Sequence, residues 1–301
     1  MKYSSQNVVI VGLGLIGGSL ARALRKSGFS QRFIGYGHRE PSLQLGVELG
    51  VIDEYTLDLD TAIELADILV IATPTLVAST LLEQILPRLA GRDKTPVITD
   101  VASVKGSLLR TAVSVCGALP AKLVLAHPIA GSERSGVGAS SEDLFVDHRV
   151  ILTPEEGNDA AAVELVRQMW ESTGAEVIDM TVDHHDAVLA ATSHLPHVLA
   201  YALVDALAQS EETQEIFRYA AGGFRDFTRI ASSDPVMWRD IALANQSALL
   251  EAIDLFSGKL GQLREDVAQG RSEQLLDTFT RAKAARDEFA DALATRGESS
   301  S

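Results

Sequence analysis

The chain has 301 residues, 46% of them hydrophobic and 22% charged, the balance of a globular protein with room for a large core and two domains. Its 41 acidic and 26 basic residues give a formal charge of −15, a surface that repels nucleic acid and anionic membranes, so neither is expected as a partner. One cysteine, Cys116, excludes an intrachain disulfide. The longest apolar runs are too short and glycine-rich to span a bilayer, and the first residues lack the regions of a signal peptide. The expected location is the cytoplasm.

In chain order, β-rich runs come first: NVVIV (7–11), RFIGY (32–36), DILVIA (67–72), PVITD (96–100), KLVLA (122–126), RVILT (149–153) and EVIDM (176–180). Amphipathic stretches of helical length lie between several of them, at 16–27, 75–90, 103–115 and 159–173. Continuous Val/Ile/Leu strands alternating with helices predict a parallel sheet covered on both faces. From about residue 181 to 295 the strand signal disappears. Apolar residues recur at helical spacing through Ile241, Leu249, Ile253, Phe256, Leu260, Leu263 and Val267, with Asn245 the one polar interruption. That stripe is long enough to pack on a partner helix, in this chain or in a second copy. The expected division is an α/β half, residues 1–180, followed by an all-helical half, residues 181–301.

The first expected strand runs into VVIVGLGLIGGSLARAL, which carries G-x-G-x-x-G as Gly12, Gly14 and Gly17, with Leu15 and Ile16 between the last two. The pattern alone is weak, but here it follows a strand and opens a helix, the context a dinucleotide site requires. Gly12 permits the tight turn, Gly14 lets the backbone approach a pyrophosphate, and Gly17 lets helix and strand pack closely. The helix N-terminus then offers N–H groups and partial positive charge to the phosphates. An NAD site usually ends its second strand on Asp or Glu, which binds the ribose 2′-OH. Here the run is RFIGYGHRE, with Gly37 at that place, then His38 and Arg39. Arg39 could pair with a 2′-phosphate, so of NAD and NADP the reading leans to NADP. Against this, Glu40 is near, and His38 and Arg39 also suit a solvent-exposed turn.

The stretch KLVLAHPIAGSERSG ends a buried strand on His127, which Pro128 biases towards extended backbone. Ligands bind at the carboxyl edge of open α/β sheets, and an imidazole there is a competent general base at neutral pH. A core histidine at a turn is the plainer alternative. Four of the seven histidines, His184, His185, His194 and His197, fall within fourteen residues. They lack H-E-x-x-H spacing and a nearby Cys, so no metal is expected. Pro196 should kink the chain there or free a carbonyl. Arg225 and Arg229 share a face if their segment is helical, commonly a solvated face. Flanking Phe224, Phe227 and Ile230 argue instead for partial burial, and a buried Arg needs a carboxylate.

GLGLIGGSLA, DVASVKG, HPIAGSERSG, SHLPH and GGFRDFTRIASSDPVMWRDI together resemble the prephenate/arogenate dehydrogenase family of tyrosine biosynthesis, in order from about residue 7 to 265. The resemblance implies a Rossmann-type doubly wound α/β sheet followed by an all-helical dimerisation domain, hence a homodimer. It implies oxidative decarboxylation, prephenate giving 4-hydroxyphenylpyruvate and arogenate giving tyrosine. His127 then matches the base that takes the C4 hydroxyl proton, and Ser103 a serine near base and cofactor. Ser132 and Glu133 match the substrate pocket, His197 a substrate contact, and Thr73 and Pro74 a loop meeting the cofactor. Arg229 matches the partner of the ring carboxylate, with Asp226 and Trp238 shaping the site. The expected chain carries no appended regulatory domain, so tyrosine feedback would act at the active site. Two rivals remain, a β-hydroxy-acid dehydrogenase of similar two-domain build and a non-enzymatic dinucleotide sensor. The first leaves SHLPH and FRDFTRIA without a counterpart, and the second predicts tight dinucleotide binding with no turnover of prephenate or arogenate.

Overall fold

The computed structural model describes residues 6–131, 134–210 and 213–299. Eight strands form one sheet: β1 (Asn7–Val11), β2 (Arg32–Tyr36), β3 (Glu54–Thr56), β4 (Ile68–Ile71), β5 (Val97–Asp100), β6 (Leu123–Pro128), β7 (Arg149–Thr153) and β8 (Glu176–Asp179). Their order is β3-β2-β1-β4-β5-β6-β7-β8, a doubly wound arrangement whose direction of winding reverses between β1 and β4. Helices α1 (Leu15–Ser27), α2 (Glu40–Glu48), α3 (Leu59–Leu65), α4 (Thr75–Leu89), α5 (Gly106–Cys116) and α6 (Ala160–Glu171) connect or cover the strands. Alternate residues of β1 enter different cores, Val8 and Ile10 on one face, Val9 and Val11 on the other. All four are essentially inaccessible to water. Each such side chain contributes about 1.5–3 kcal/mol by burial, so the central strands dominate the stability of this layer.

The sheet is not parallel throughout. β7 pairs antiparallel with β6, placing His127 opposite Ile151 and Pro128 opposite Val150. Among the described residues between them, regular structure is confined to a 3₁₀ turn at Val137–Ala139, so no crossover helix returns the chain for a parallel pairing. β6 also runs two residues beyond its expected end, through His127 and Pro128. β3, α2 and α3 gave no sequence signal: β3 and α3 are only three and seven residues long, and α2 contains Pro41 and Gly46.

Helices follow β8: α7 (Val182–Leu189), α8 (Leu195–Ala208), α9 (Thr213–Arg218), α10 (Gly222–Thr228), α11 (Pro235–Ala244), α12 (Gln246–Ala268) and α13 (Ser272–Ser299). Thr181 caps α7 by accepting from the His184 N–H, and Asp234 caps α11 by accepting from Val236 and Met237. A π-helical turn, Ala190–His194, joins α7 to α8, whose first turn contains Pro196. The π turn lies just before Pro196, whose missing N–H was expected to free a carbonyl or kink the chain here. The resulting helical run, Val182–Ala208, is long and apolar enough to cross a membrane by length and composition, a feature the sequence reading missed. Its buried polar groups, His185, Asp186 and His194, are hydrogen-bonded within the fold instead. The single stripe expected from Ile241 to Val267 is interrupted, because α11 stops before Asn245 and α12 starts after it.

By packing, the chain divides into residues 1–248 and 249–301. The first unit holds the sheet together with α7 to α11. The second consists of most of α12 and α13, turned at Gly270 (φ +63°) and tied by Arg271 to Asp266 at 3.1 Å. Its Leu255, Leu260, Val267, Leu276 and Phe279 are all more than half exposed.

Candidate active site

The glycine loop has the geometry its spacing predicts. Gly12 adopts φ +94°, and a Cβ there would lie 2.6 Å from Thr73 Cγ2 and 2.9 Å from the Ala72 carbonyl oxygen. A Cβ on Gly17 would stand 2.5 Å from the Gly12 carbonyl oxygen and 2.8 Å from Ile10. At Gly14, the residue before α1, an added Cβ meets nothing within 4 Å. Two glycines therefore hold the turn tight while the third leaves open space, the arrangement a pyrophosphate needs. Leu15 and Ile16 begin α1, and Thr73 and Pro74 lead from β4 into α4. The buried Thr73 Oγ1 has no hydrogen-bond partner among the described residues. These residues fit a dinucleotide. At the end of β2, His38 and Arg39 are exposed, while the Glu40 carboxylate accepts from Tyr55 at 2.9 Å.

On the same carboxyl edge of the sheet, β6 delivers His127, only 8% exposed. Its Nδ1 lies 2.9 Å from His185 Nε2, and His185 Nδ1 lies 2.8 Å from Asp186 Oδ1. Asp186 also accepts from the backbone N–H groups of Lys105, at 2.9 Å, and Gly106, at 2.8 Å. The Lys105 ammonium, fully buried, pairs with Asp100 and donates to the Ala126 carbonyl. Asp100 in turn accepts from Ala126 N–H at 3.1 Å and Ala102 N–H at 2.8 Å. Removing one member of such a buried pair costs about 3–5 kcal/mol, so this pair locks the ends of β5 and β6 beneath the imidazole. Half-buried Ser103 sits in the loop between β5 and α5. Burial first, then the nearby His185, Lys105 and His194, push His127 well below its ordinary pKa of 6.5. It is neutral at pH 7.

A second group of rings adjoins the first. His194, 1% exposed, is contacted at Nδ1 by the Asn245 amide at 3.1 Å, and the same amide nitrogen donates to the Asp186 carbonyl at 2.8 Å. Asn245, the polar interruption in the expected stripe, thus ends α11 by tying it to α7 and the π turn. His197 stacks on Trp238 with ring centroids 3.5 Å apart, and its Nδ1 donates to the Ser193 carbonyl at 2.9 Å. Burial lowers the His197 pKa most, and the Arg229 guanidinium is near enough to lower it further. His127, His185, His194, His197, Trp238 and Arg229 therefore form a continuous series of neighbours.

Other expected site residues stand apart. In α10 and the 3₁₀ turn at Arg229–Ser232, Phe224 and Ile230 are partly buried as expected, whereas Arg229 is exposed and Phe227 is 46% exposed. Asp226 pairs with Arg225 at 3.4 Å, with side chains 75% and 82% exposed. Ser132 and Glu133 lie outside the described residues. The sequence reading gave no role to Asp100, Lys105, His185, Asp186 or Asn245. The first two stand in the DVASVKG motif and the next two in one DHHD run, but only tertiary contacts join them.

The buried imidazoles make stability pH-dependent. His194 titrates at about 4 in the fold against an ordinary 6.5, chiefly through burial. Between those values the unfolded chain binds more protons, so stability should fall as pH drops through that window. The shift corresponds to about 3 kcal/mol. His127 and His185 are displaced in the same direction and add to the loss. Urea unfolding at pH 7.5 and 4.5 checks this; equal midpoints would contradict it.

Comparison with known proteins decides what carries this geometry. Residues 20–179 match the family described as "Prephenate dehydrogenase, nucleotide-binding domain", and residues 181–281 match "Prephenate dehydrogenase, dimerization domain". The chain belongs to the prephenate dehydrogenase family. Family membership makes it a nicotinamide-dependent oxidoreductase of aromatic amino-acid biosynthesis and removes the two rival readings. It is 37% identical to the prephenate dehydrogenase of Bacillus subtilis over 95% of this chain and 77% of that one. The cyclohexadienyl dehydrogenase of Zymomonas mobilis is also 37% identical, over 93% and 95% of the two chains. Among solved structures, prephenate dehydrogenase from Aquifex aeolicus in complex with hydroxyphenyl propionate and NAD+ superposes with a TM-score of 0.87 at 38% identity, covering 96% of this chain and 100% of that one. Arogenate dehydrogenase from Synechocystis gives 0.78 at 30% identity, over 94% and 99%.

Proposed function

We propose that this prephenate dehydrogenase family member oxidatively decarboxylates prephenate to 4-hydroxyphenylpyruvate, arogenate to tyrosine, or both, in the cytoplasm. The observation that carries the reading is His127, neutral and nearly buried on the same sheet edge as the glycine loop. When bound, the nicotinamide supplies the hydride acceptor. His127 Nε2 takes the C4 hydroxyl proton as hydride leaves C4. The carboxylate departs as CO2, its bonding electron pair stays with the ring, and the ring becomes aromatic. Ser103 assists near the hydroxyl. Arg229 takes the ring carboxylate, and His197, Trp238, Asp226, Ser132 and Glu133 surround the rest. Positioning C4 is the demanding task and supplies about 7–11 kcal/mol in favourable cases.

Gly12, Gly14, Leu15, Ile16, Gly17, Thr73 and Pro74 hold the dinucleotide, with His38 and Arg39 at its ribose. NADP is the preferred form. The support is Gly37 in place of an acid, an exposed Arg39, and a Glu40 carboxylate engaged with Tyr55. The functional division falls at residue 180. The helical half makes a homodimer, which would cover the exposed apolar residues of α12 and α13. A two-by-two assay of prephenate and arogenate with NAD and NADP tests the reading. Turnover of at least one substrate, with kcat/KM favouring NADP, is expected. No turnover of either substrate ends the functional proposal, and a preference for NAD above about tenfold ends the cofactor proposal.

A further inference from the structure

We infer that Asp186 and His185 are positioning residues that fix the tautomer of His127, so that its Nε2 carries a lone pair when substrate arrives. The inference rests on His127 being the base. Asp186 reaches the N-terminus of α5, where it accepts from two successive backbone amides, Lys105 and Gly106. Gly106 makes this approach possible, because a Cβ there would lie 2.7 Å from Asp186 Oδ2. Amide donors and the helix terminus both favour the ionised carboxylate. An ionised carboxylate only accepts hydrogen bonds, so His185 Nδ1 must be its donor.

The remaining assignments follow by counting protons. A neutral imidazole carries one N–H, so His185 Nε2 is a lone pair. The 2.9 Å contact to His127 then requires the His127 proton to sit on Nδ1. That leaves His127 Nε2 bare. Free histidine favours the opposite tautomer, which would present an N–H to the substrate hydroxyl and could not take its proton. When Nε2 gains the substrate proton, the Nδ1–H of the imidazolium donates more strongly to His185, and His185 to Asp186. No proton has to leave the His127–His185–Asp186 series.

Charged groups face the series from several elements, including the Arg110 guanidinium of α5, whose Nη1 and Asp186 Oδ2 lie 3.0 and 2.7 Å from the same point above Gly106. Lys105 and Asp100 face the pair from the β5–α5 segment, Asp186 lies on α7, and His194 lies on the π turn. Burial is the largest influence lowering both His127 and His185, consistent with two neutral rings at pH 7. The Asn245 amide, bonded to the Asp186 carbonyl, fixes α7 in register with His194.

The test compares His185→Leu, His185→Gln and Asp186→Asn in the full-length enzyme. A wrong tautomer or lost orientation should lower kcat about 10²-fold in His185→Leu, with KM for substrate nearly unchanged. The Gln carbonyl can still accept from His127 Nδ1–H, so His185→Gln should recover about tenfold of that loss. Asp186→Asn should lower kcat and move the acid limb of kcat/KM to lower pH, because the imidazolium loses its supporting anion. Ring-nitrogen NMR of the wild-type protein at pH 7 should show protonated Nδ1 and bare Nε2 in both His127 and His185. Should Asp186→Asn fail to fold, the Leu and Gln comparison and the NMR decide. Folded variants with wild-type kcat and an unmoved acid limb overturn the inference. So does Gln performing no better than Leu, or a His127 protonated at Nε2. A wild-type enzyme inactive on both substrates would instead remove the reading of the site, and the relay with it.

Discussion

Replacing His127 with Asn should lower kcat about 10²–10⁴-fold while leaving substrate and dinucleotide affinity nearly unchanged. Asn keeps a polar side chain of similar reach but has no basic lone pair near neutral pH. The loss therefore falls on the step in which the hydroxyl proton moves. The fold should tolerate the change, because the lock beneath the imidazole is built by Asp100, Lys105 and the Ala126 backbone rather than by the ring. The remaining risk is the His185 contact, which Asn can satisfy by donating from its side-chain amide N–H to His185 Nε2. Steady-state kinetics with a thermal unfolding control decide the matter. Near-normal turnover in a folded variant would remove His127 as the base.

Replacing Arg229 with Ala should act on the other kinetic constant. If its guanidinium holds the ring carboxylate, losing charge-assisted bonds costs about 1.5–3 kcal/mol, raising KM roughly 10- to 150-fold. Loss of one partner from a desolvated pair would cost more, about 2–5 kcal/mol, but Arg229 is exposed in the protomer and solvent screens part of the effect. Local cationic charge is needed here because the chain as a whole carries −15. The increase in KM should weaken with ionic strength, as expected for attraction of an anion to a partly solvated cation. An unchanged KM would remove Arg229 from the site.

The pattern of success and failure in the sequence is physical. β1, β2 and β7 were legible to the residue, since buried strands are continuous apolar runs bounded by polar or glycine residues. The reversal at β7 was hidden, because strand composition does not record direction and residues 129–148 carry no helix signal. Gly12 and Gly17 were legible because a steric requirement admits only one residue type. His127 stood out because a titratable side chain ended an apolar run. His185 and Asp186 did not, since an Asp-rich, His-rich helix start reads as a solvated first turn. Their burial comes from docking on Lys105 and Gly106, eighty residues away in the chain. Asn245 was visible as an interruption in the stripe, but its partners, Asp186 and His194, could be found only in three dimensions.

The most direct measurement is a crystal structure of the enzyme with dinucleotide and 4-hydroxyphenylpyruvate bound. The account predicts the phenol oxygen within about 2.6–3.2 Å of His127 Nε2, the ring against the nicotinamide, and Arg229 lining the same crevice. A product bound away from His127, or Arg229 separated from it by packed side chains, would contradict the account.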